Sequence, residues 1–331
     1  MRSSAGTART SALVALAALV LVLSGAASAV VDSRSAAPPK VTIAYQPGVG
    51  YAPLIMIREQ RLLEKRYPQT TFDWKLLPSA TPITNGMVAG QIDLGAIGVG
   101  PLLFGWASGN DWKYLAPLSE ADLWLMVKDP SVKSLGDLVG KKIAMPSALA
   151  IQAVVLRKAA SVKLGNARAL DSSIVSLDHP AAMQALLNGQ VSAHLASPPF
   201  EFQEQEAGAR VLLRSYQFFG AHSFVGLTGN QKFYDRYTSF CNDVYKLVKA
   251  QADLINKDPA KAATIVAAEA GGSPTATEFR KWMVNPAVHF TTRPRGLMRF
   301  AAFMNQNGFL GKMPTGWTQL VFPPVYATKG S

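Results

Sequence analysis

Short runs of consecutive apolar residues alternate along this chain with longer stretches whose apolar positions recur every three or four residues, the pattern of strands followed by amphipathic helices. Val41-Thr42-Ile43-Ala44-Tyr45 reads as a strand that ends in the turn-forming run Gln46-Pro47-Gly48-Val49-Gly50. A helix follows, with Leu54, Ile55, Ile57, Leu62 and Leu63 on one face and Arg58, Glu59 and Lys65 on the other. The same rules predict strands at 72–77, 92–97 and 113–117 and helices at 82–89 and 101–108. Alternation at this spacing is the mark of an α/β architecture with largely parallel sheets.

An internal echo divides the pattern in two. The decapeptide from Met87 to Ala96 recurs as Leu186 to Leu195, 99 residues later, both built around Gly-Gln. In each copy a helix ends at glycine, a short strand follows, and a proline-initiated helix starts soon after, at Pro101 and at Pro198. Two lobes sharing one helix–strand–helix unit explain the echo. The extended stretch Glu120 to Val127 would carry the chain into the second lobe, which continues through strands at 142–145, 174–177, 191–196 and 210–213 and helices at 149–163 and 180–188. His222 to Leu227 would carry it back. The last third reads as helical, opening with one long helix whose Phe233, Tyr237, Phe240, Cys241, Val244, Leu247 and Val248 keep helical spacing. The expected organisation is a signal peptide at 1–29, a flexible leader at 30–39, a first lobe of 40–121 plus 223–331, and a second lobe of 122–222.

The N-terminus carries the signal. Arg2 and Arg9 precede the apolar run Ala12 to Leu23, and Ala27-Ser28-Ala29 supplies a small-x-small cleavage site. Twelve apolar residues fall short of the roughly 20 that span a bilayer. A cleaved export signal is therefore expected, with no cysteine after it to receive a lipid, and a bacterial periplasm is the expected location.

Composition then narrows the function. The formal charge of +12 invites a nucleic-acid partner, but losing Arg2 and Arg9 lowers it to +10, and the remaining excess lies in the last third, densest at Arg293, Arg295 and Arg299. No basic run or aromatic-interleaved basic stripe accompanies it, so nucleic acid is not an expected partner and the charge reads as a solvated outer face. A single Cys241 excludes an intramolecular disulfide and any multi-thiolate metal site, and its place on an apolar stripe makes it a small buried hydrophobe. His179, His194, His222 and His289 stand 15, 28 and 67 residues apart, without a metal-binding pair. No nucleophile elbow or phosphate-binding loop is present. Gly48-x-Gly50 is not a dinucleotide fingerprint, because Pro53 occupies the third glycine position. No catalytic group, cofactor or metal is expected.

What recurs instead is a series of strand-to-helix junctions rich in capping residues: Pro47 to Tyr51, Ser79-Ala80-Thr81-Pro82, Gly98-Val99-Gly100-Pro101, Pro146-Ser147-Ala148 and Ser197-Pro198-Pro199. In open α/β sheets ligands sit outside the carboxyl ends of the strands, facing helix N-termini that offer free N–H groups. Five such junctions split between two lobes describe a cleft.

Tyr45-Gln46-Pro47-Gly48, Leu63 to Pro68, Gly90-Gln91-Ile92-Asp93-Leu94-Gly95, Ser134 to Lys142 and Ala185 to Val191 together resemble the solute-binding proteins of nitrate/sulfonate/taurine-type ABC importers, a branch that includes binders of thiamine-precursor pyrimidines. The resemblance runs from about residue 40 to 215. It implies an α/β, two-lobe periplasmic-binding-protein-like (type II) fold, each lobe a mixed sheet flanked by helices, with two crossing strands at the hinge. It also implies a monomer that captures a solute in the interlobe cleft by hinge closure and delivers it to membrane permease subunits. The ligand-binding candidates are Gln46, Gly48, Val49, Gly50, Tyr51, Ser79, Ala80, Thr81, Gly98, Val99, Gly100, Ser147, Ala148, Ser197 and Pro198 at the junctions. Tyr51, Trp124 and His222 are further expected to line a ring or chain, and Gln46, Glu120, Asp122 and Gln152 to supply polar contacts.

The departures from that family shape the ligand. Where sulfonate-binding members look serine-rich, this chain has Ser147-Ala148-Leu149-Ala150-Ile151; where they resemble Gly-Asp it has Gly98-Val99; and where they tend to Trp-Asp-Pro it has Ser197-Pro198-Pro199. Each change removes a polar group or reshapes the wall. A larger, less anionic organic solute is expected in place of nitrate or a simple sulfonate. The alternatives are an enzyme like the related pyrimidine synthases, whose cysteine-rich iron motif a lone Cys241 does not supply, and a ligand-sensing partner of a receptor.

Overall fold

The computed structural model describes residues 37–331. The expected signal peptide at 1–29, and the leader as far as residue 36, lie outside the described residues.

Strand β1 (Lys40–Tyr45) has every residue after the first buried, as a strand covered on both faces must. It pairs in parallel with β2 (Thr71–Leu76) on one side and β3 (Leu94–Gly98) on the other. Helices α1 (Ala52–Glu59), α2 (Leu62–Arg66) and α3 (Ala80–Val88) make the crossovers. The single helix predicted from residue 54 onwards is interrupted at Arg61, whose backbone is left-handed. After α4 (Val99–Ala107), the ten-residue β4 (Trp112–Ala121) is buried almost throughout. The chain later returns as β10 (Ser223–Asn230), antiparallel to both β3 and β4, and β11 (Val288–Phe290) closes the edge. The first sheet therefore runs β11-β4-β10-β3-β1-β2.

The second sheet, β7-β6-β8-β5-β9, comes from one continuous stretch: β5 (Trp124–Val127), β6 (Ile143–Met145), β7 (Ile174–Ser176), β8 (Ala193–Leu195) and β9 (Arg210–Arg214). Its β6, β7 and β8 are parallel and β5 is antiparallel to β8 and β9. Helices α5 (Ile151–Leu164), α6 (His179–Leu187) and α7 (Phe200–Glu206) connect them. Two mixed sheets flanked by helices are the two-lobe α/β fold that the sequence predicts. The chain passes between them twice, at Asp122-Leu123 and through the short α8 (Tyr216–Phe219).

The last third departs from expectation in two places. The predicted long helix is two, α9 (Gln231–Arg236) and α10 (Thr238–Lys257), broken at Tyr237, whose φ of −127° and ψ of 43° leave the helical region. Also, β11 is a strand within a stretch read as helical. Among α11 (Pro259–Glu269), α12 (Ala276–Met283) and α13 (Leu297–Gln306), the last packs onto the second lobe: Phe300 stacks on Phe219 at 3.8 Å, and Phe303 meets the same ring edge-on at 5.9 Å.

Candidate functional site

The carboxyl ends of β1 and β3 in the first sheet and of β6 and β8 in the second open onto one cleft. Gln46, Tyr51, Gly98 and Phe224 line it from the first lobe, and Ile151, Gln152, His179 and Ser197 from the second. Its cavity volume is about 30 Å³, close to one water's share of liquid volume, so the lobes stand closed on each other.

Glycine makes that closure possible. A Cβ on Gly48, whose φ is +138°, would lie 3.1 Å from the Pro198 carbonyl oxygen. One on Gly98 would lie 3.3 Å from the Ile151 side chain, and one on Gly100 would meet the backbone of Leu149, Ala150 and Ile151 at 2.8 to 3.0 Å. Three junction glycines of the first lobe thus abut the second with no room for a side chain.

The wall is uncharged: among the described residues, no Lys, Arg, Asp or Glu lines the cleft. Its polarity comes from amides, hydroxyls and helix ends. Gln46 donates Nε2–H to the Ala96 carbonyl at 3.1 Å. Tyr51 packs edge-on against Phe224, and burial pushes its phenol well above the usual tyrosine range. Helices α1, α3, α4, α5 and α7 all start at the cleft junctions without a side-chain cap. The capping expected of Ser79 is absent: it is the N-cap residue of α3 yet makes no cap hydrogen bond. Helix α6, whose start also lines the cleft, is capped by Asp178, as α9, α11 and α12 are by Asn230, Asp258 and Thr275. At α1 and α7 the first N–H groups are taken by backbone carbonyls, that of Ala52 by Val49 and that of Phe200 by Ser197, so the uncapped starts that leave donors beside the cleft are those of α3, α4 and α5.

Behind the second-lobe wall lies a buried chain of polar side chains. Gln152 Nε2 is 3.1 Å from His179 Nε2, His179 Nδ1 is 2.8 Å from His194 Nε2, and His194 Nδ1 is 2.5 Å from Glu204 Oε1. Desolvation holds both imidazoles neutral, His194 down at about 3 and His179 well below its ordinary value. The same desolvation pushes the Glu204 carboxyl up to about 9, and that of neighbouring Glu201 well above the carboxylate range.

Of the residues expected at the site, Gln46, Tyr51, Ala80, Gly98, Gln152 and Ser197 line the cleft. Gly48, Gly100 and Pro198 form the lobe–lobe contact. Thr81 and Ser147 line an adjoining hollow of about 210 Å³ that shares Ala80 and Pro101 with the cleft and carries Val88, Phe104 and Leu149. Val49 and Val99 are core residues, Gly50 packs on Phe224 and Ser119, and Ala148 lends its carbonyl to Arg157 Nη1 at 2.8 Å.

Four of the expected residues lie away from the cleft wall. Glu120, Asp122 and His222 sit at the crossing between the sheets, and Trp124 sits inside the second lobe. Glu120 pairs with Arg295 at 3.2 Å. Asp122 Oδ1 accepts from the Tyr216 amide at 2.9 Å. Ser215 Oγ accepts from the Leu123 amide at 2.8 Å and lies 2.9 Å from His222 Nε2, while His222 Nδ1 donates to the Ser223 carbonyl at 2.9 Å. This chain ties one crossing strand to the other. Trp124 packs edge-on against Phe202 at 5.3 Å under the Arg214 guanidinium. Polar residues in an apolar crossing strand need partners of their own, and here they find one another.

Phe224 lines the cleft without having been expected there, and so does His179. It stands next to Pro180 at the start of α6, at the junction after β7. A sixth strand-to-helix junction would have pointed to it.

No family model matches the chain. Over 185 residues it is 28% identical to the putative aliphatic sulfonates-binding protein of Escherichia coli (strain K12), a match covering 54% of this chain and 56% of that protein. The chain thus spans little more than half the length of the curated relative it matches. Among solved structures it is similar to the alkanesulfonate-binding protein from Xanthomonas axonopodis pv. citri bound to MOPS, with a TM-score of 0.70, 21% identity and 88% and 99% of the two chains covered. It is also similar to the periplasmic nitrate-binding protein from Synechocystis PCC 6803, with a TM-score of 0.70, 11% identity and 84% and 83% covered. The periplasmic-binding-protein fold and the likeness to nitrate/sulfonate-type binding proteins, both expected from the sequence, are borne out.

Proposed function

We propose, starting from that likeness to the nitrate/sulfonate/taurine-type binding proteins, that this chain is the solute-binding component of an ABC importer. It is exported to the periplasm, captures a small organic solute by closing its lobes, and delivers it as a monomer to permease subunits. The observation that supports this most is the closed cleft itself, lined from both sheets at strand ends and sealed by glycine-to-backbone contacts at Gly48 and Gly100. A ligand that touches both lobes only when they meet shifts the population toward closure.

Lacking any Lys or Arg on its wall, the cleft suits a solute less anionic than nitrate or a simple sulfonate. The adjoining hollow, with Val88, Phe104 and Leu149, offers room for an apolar portion. Native mass spectrometry of the exported protein, followed by a thermal-shift panel of organic solutes, tests the reading. A retained small molecule whose re-addition raises the melting temperature supports it, since a ligand bound only to the folded state stabilises by RT ln(1 + [L]/Kd). If nothing is retained and no solute of any class shifts the transition, the reading fails.

A further inference from the structure

A protein that holds a solute by its lobe walls has no evident need for two buried histidines and a buried glutamic acid strung in a line behind one wall. The line has a polarity. In the structure the Gln152 amide nitrogen faces His179 Nε2, and an amide nitrogen can only donate. His179 Nε2 therefore accepts, which puts the ring proton on Nδ1. That proton faces His194 Nε2, which accepts in turn and puts the second ring's proton on its Nδ1, facing Glu204 Oε1. One choice at Gln152 thus fixes both tautomers and makes Glu204 Oε1 the terminal acceptor. A neutral Glu204 meets this requirement with Oε1 as the carbonyl oxygen, which leaves its proton on Oε2, a buried atom without a hydrogen-bond partner among the described residues. All four side chains are buried, so water cannot substitute for a link that runs the wrong way.

The consequence appears at the cleft. With its nitrogen held by His179, Gln152, which lines the cleft, has its Oε1 left to offer as an acceptor on the second-lobe wall. The facing first-lobe wall offers donors, the N–H groups at the uncapped starts of α3 and α4.

We propose that the chain His179–His194–Glu204 is a positioning relay that fixes the amide polarity of Gln152, so that the cleft selects an uncharged solute presenting an acceptor oxygen to the first lobe and an N–H or O–H donor to Gln152. The ligand class rests on the solute-binding function above; the relay does not. An oxyanion offers Gln152 Oε1 only lone pairs and finds no cationic side chain on the wall. A carboxamide or sulfonamide supplies both groups.

The relay is tested without any ligand by ¹⁵N correlation spectroscopy of the imidazoles in the intact protein at neutral pH. The expected result is that His179 and His194 are both neutral, both protonated on Nδ1. Protonation of either ring on Nε2 means the line runs the other way, presents a donor to the cleft, and overturns the proposal.

The ligand class is tested by titration calorimetry with two nearly isosteric probes, butane-1-sulfonamide and butane-1-sulfonate. Sulfonamide binding at least about 10-fold tighter is expected, because a site built around a ligand donor discriminates strongly against an analogue that lacks it. Equal binding, preference for the sulfonate, or binding of neither overturns the class. Retention of some other solute in native mass spectrometry would leave the solute-binding function standing even then. Replacing the terminal acceptor separates positioning from packing. Glu204→Gln keeps a carbonyl acceptor and should retain the tautomers and the probe preference within about 2-fold. Glu204→Leu removes the acceptor and should mix the tautomers and reduce the preference at least about 5-fold. If both variants behave alike, Glu204 has no positioning role.

Discussion

Gly100 and Ile151 meet backbone to backbone across the cleft: a methyl group on Gly100 would lie 2.8 Å from the Ile151 amide nitrogen, nearer than packed atoms tolerate. Gly100 is helical, within α4, so alanine is compatible with its backbone and would favour the isolated helix by roughly 1 kcal/mol. Only closure suffers. Gly100→Ala should keep or raise the melting temperature of the free protein, weaken solute binding by about 10-fold or more, and enlarge the radius of gyration seen by small-angle scattering. Unchanged affinity would show that closure does not bring these segments together in solution.

His222 predicts an acid limb in stability. Burial lowers its imidazole from 6.5 to about 4, so the unfolded chain takes up a proton over a range where the folded protein does not. Stability is therefore full above about pH 6.5 and lost as pH falls toward 4, by on the order of 3 kcal/mol for this group alone. Urea denaturation at pH 7, 5.5 and 4.5 should show the decline, and His222→Gln should flatten part of it while lowering stability at pH 7. An identical slope in the variant would place the acid sensitivity elsewhere.

Ser215 joins the two crossings, accepting from Leu123 and reaching His222. Ser215→Ala leaves the buried Leu123 N–H without that acceptor, at a cost of about 2 kcal/mol. The loss should appear as a lower urea midpoint with an unchanged m-value. A midpoint within experimental error of the wild type would mean that the crossing is held by packing alone.

Arg157 supports the cleft from behind. It is buried under the loop after β6, bonded to the Ala148 carbonyl and to Asp171 at 2.8 Å each, with Phe309 against its guanidinium. Arg157→Met keeps the stem but releases the loop that brings Ala150 and Ile151 to the cleft and Ser147 to the adjoining hollow. Solute affinity should fall by about 10-fold, with a larger rise in dissociation rate than fall in association rate, as stopped-flow fluorescence would record. A purely structural effect would lower the melting temperature and leave the dissociation rate alone.

The cleft's location was legible because it depends on local features: apolar runs that must be strands, and Gly, Pro and Ser at the points where those strands yield to helices. Gln46, Tyr51, Gly98 and Ser197 follow directly from that logic. Glu120, Asp122 and His222 did not. A polar residue in an apolar strand looks the same in sequence whether it awaits a ligand or a partner from the neighbouring strand, and the antiparallel pairing of β4 with β10 decides between them. His179 and His194 looked unrelated because their 15-residue separation matches no helical or strand period. They meet because α6 packs against β8, a tertiary fact. The break at Tyr237 was invisible for the opposite reason: apolar spacing continues through it, with neither glycine nor proline to mark it.

The uncharged wall has a consequence outside the molecule. Dissolved salt weakens attraction between charges, over about 8 Å at physiological ionic strength, and a grip made of amides, hydroxyls and apolar surface gives it little to weaken. A binding protein exported as proposed above shares the salinity of whatever its cell is immersed in. One built this way would scavenge at much the same concentration in fresh water as in brine.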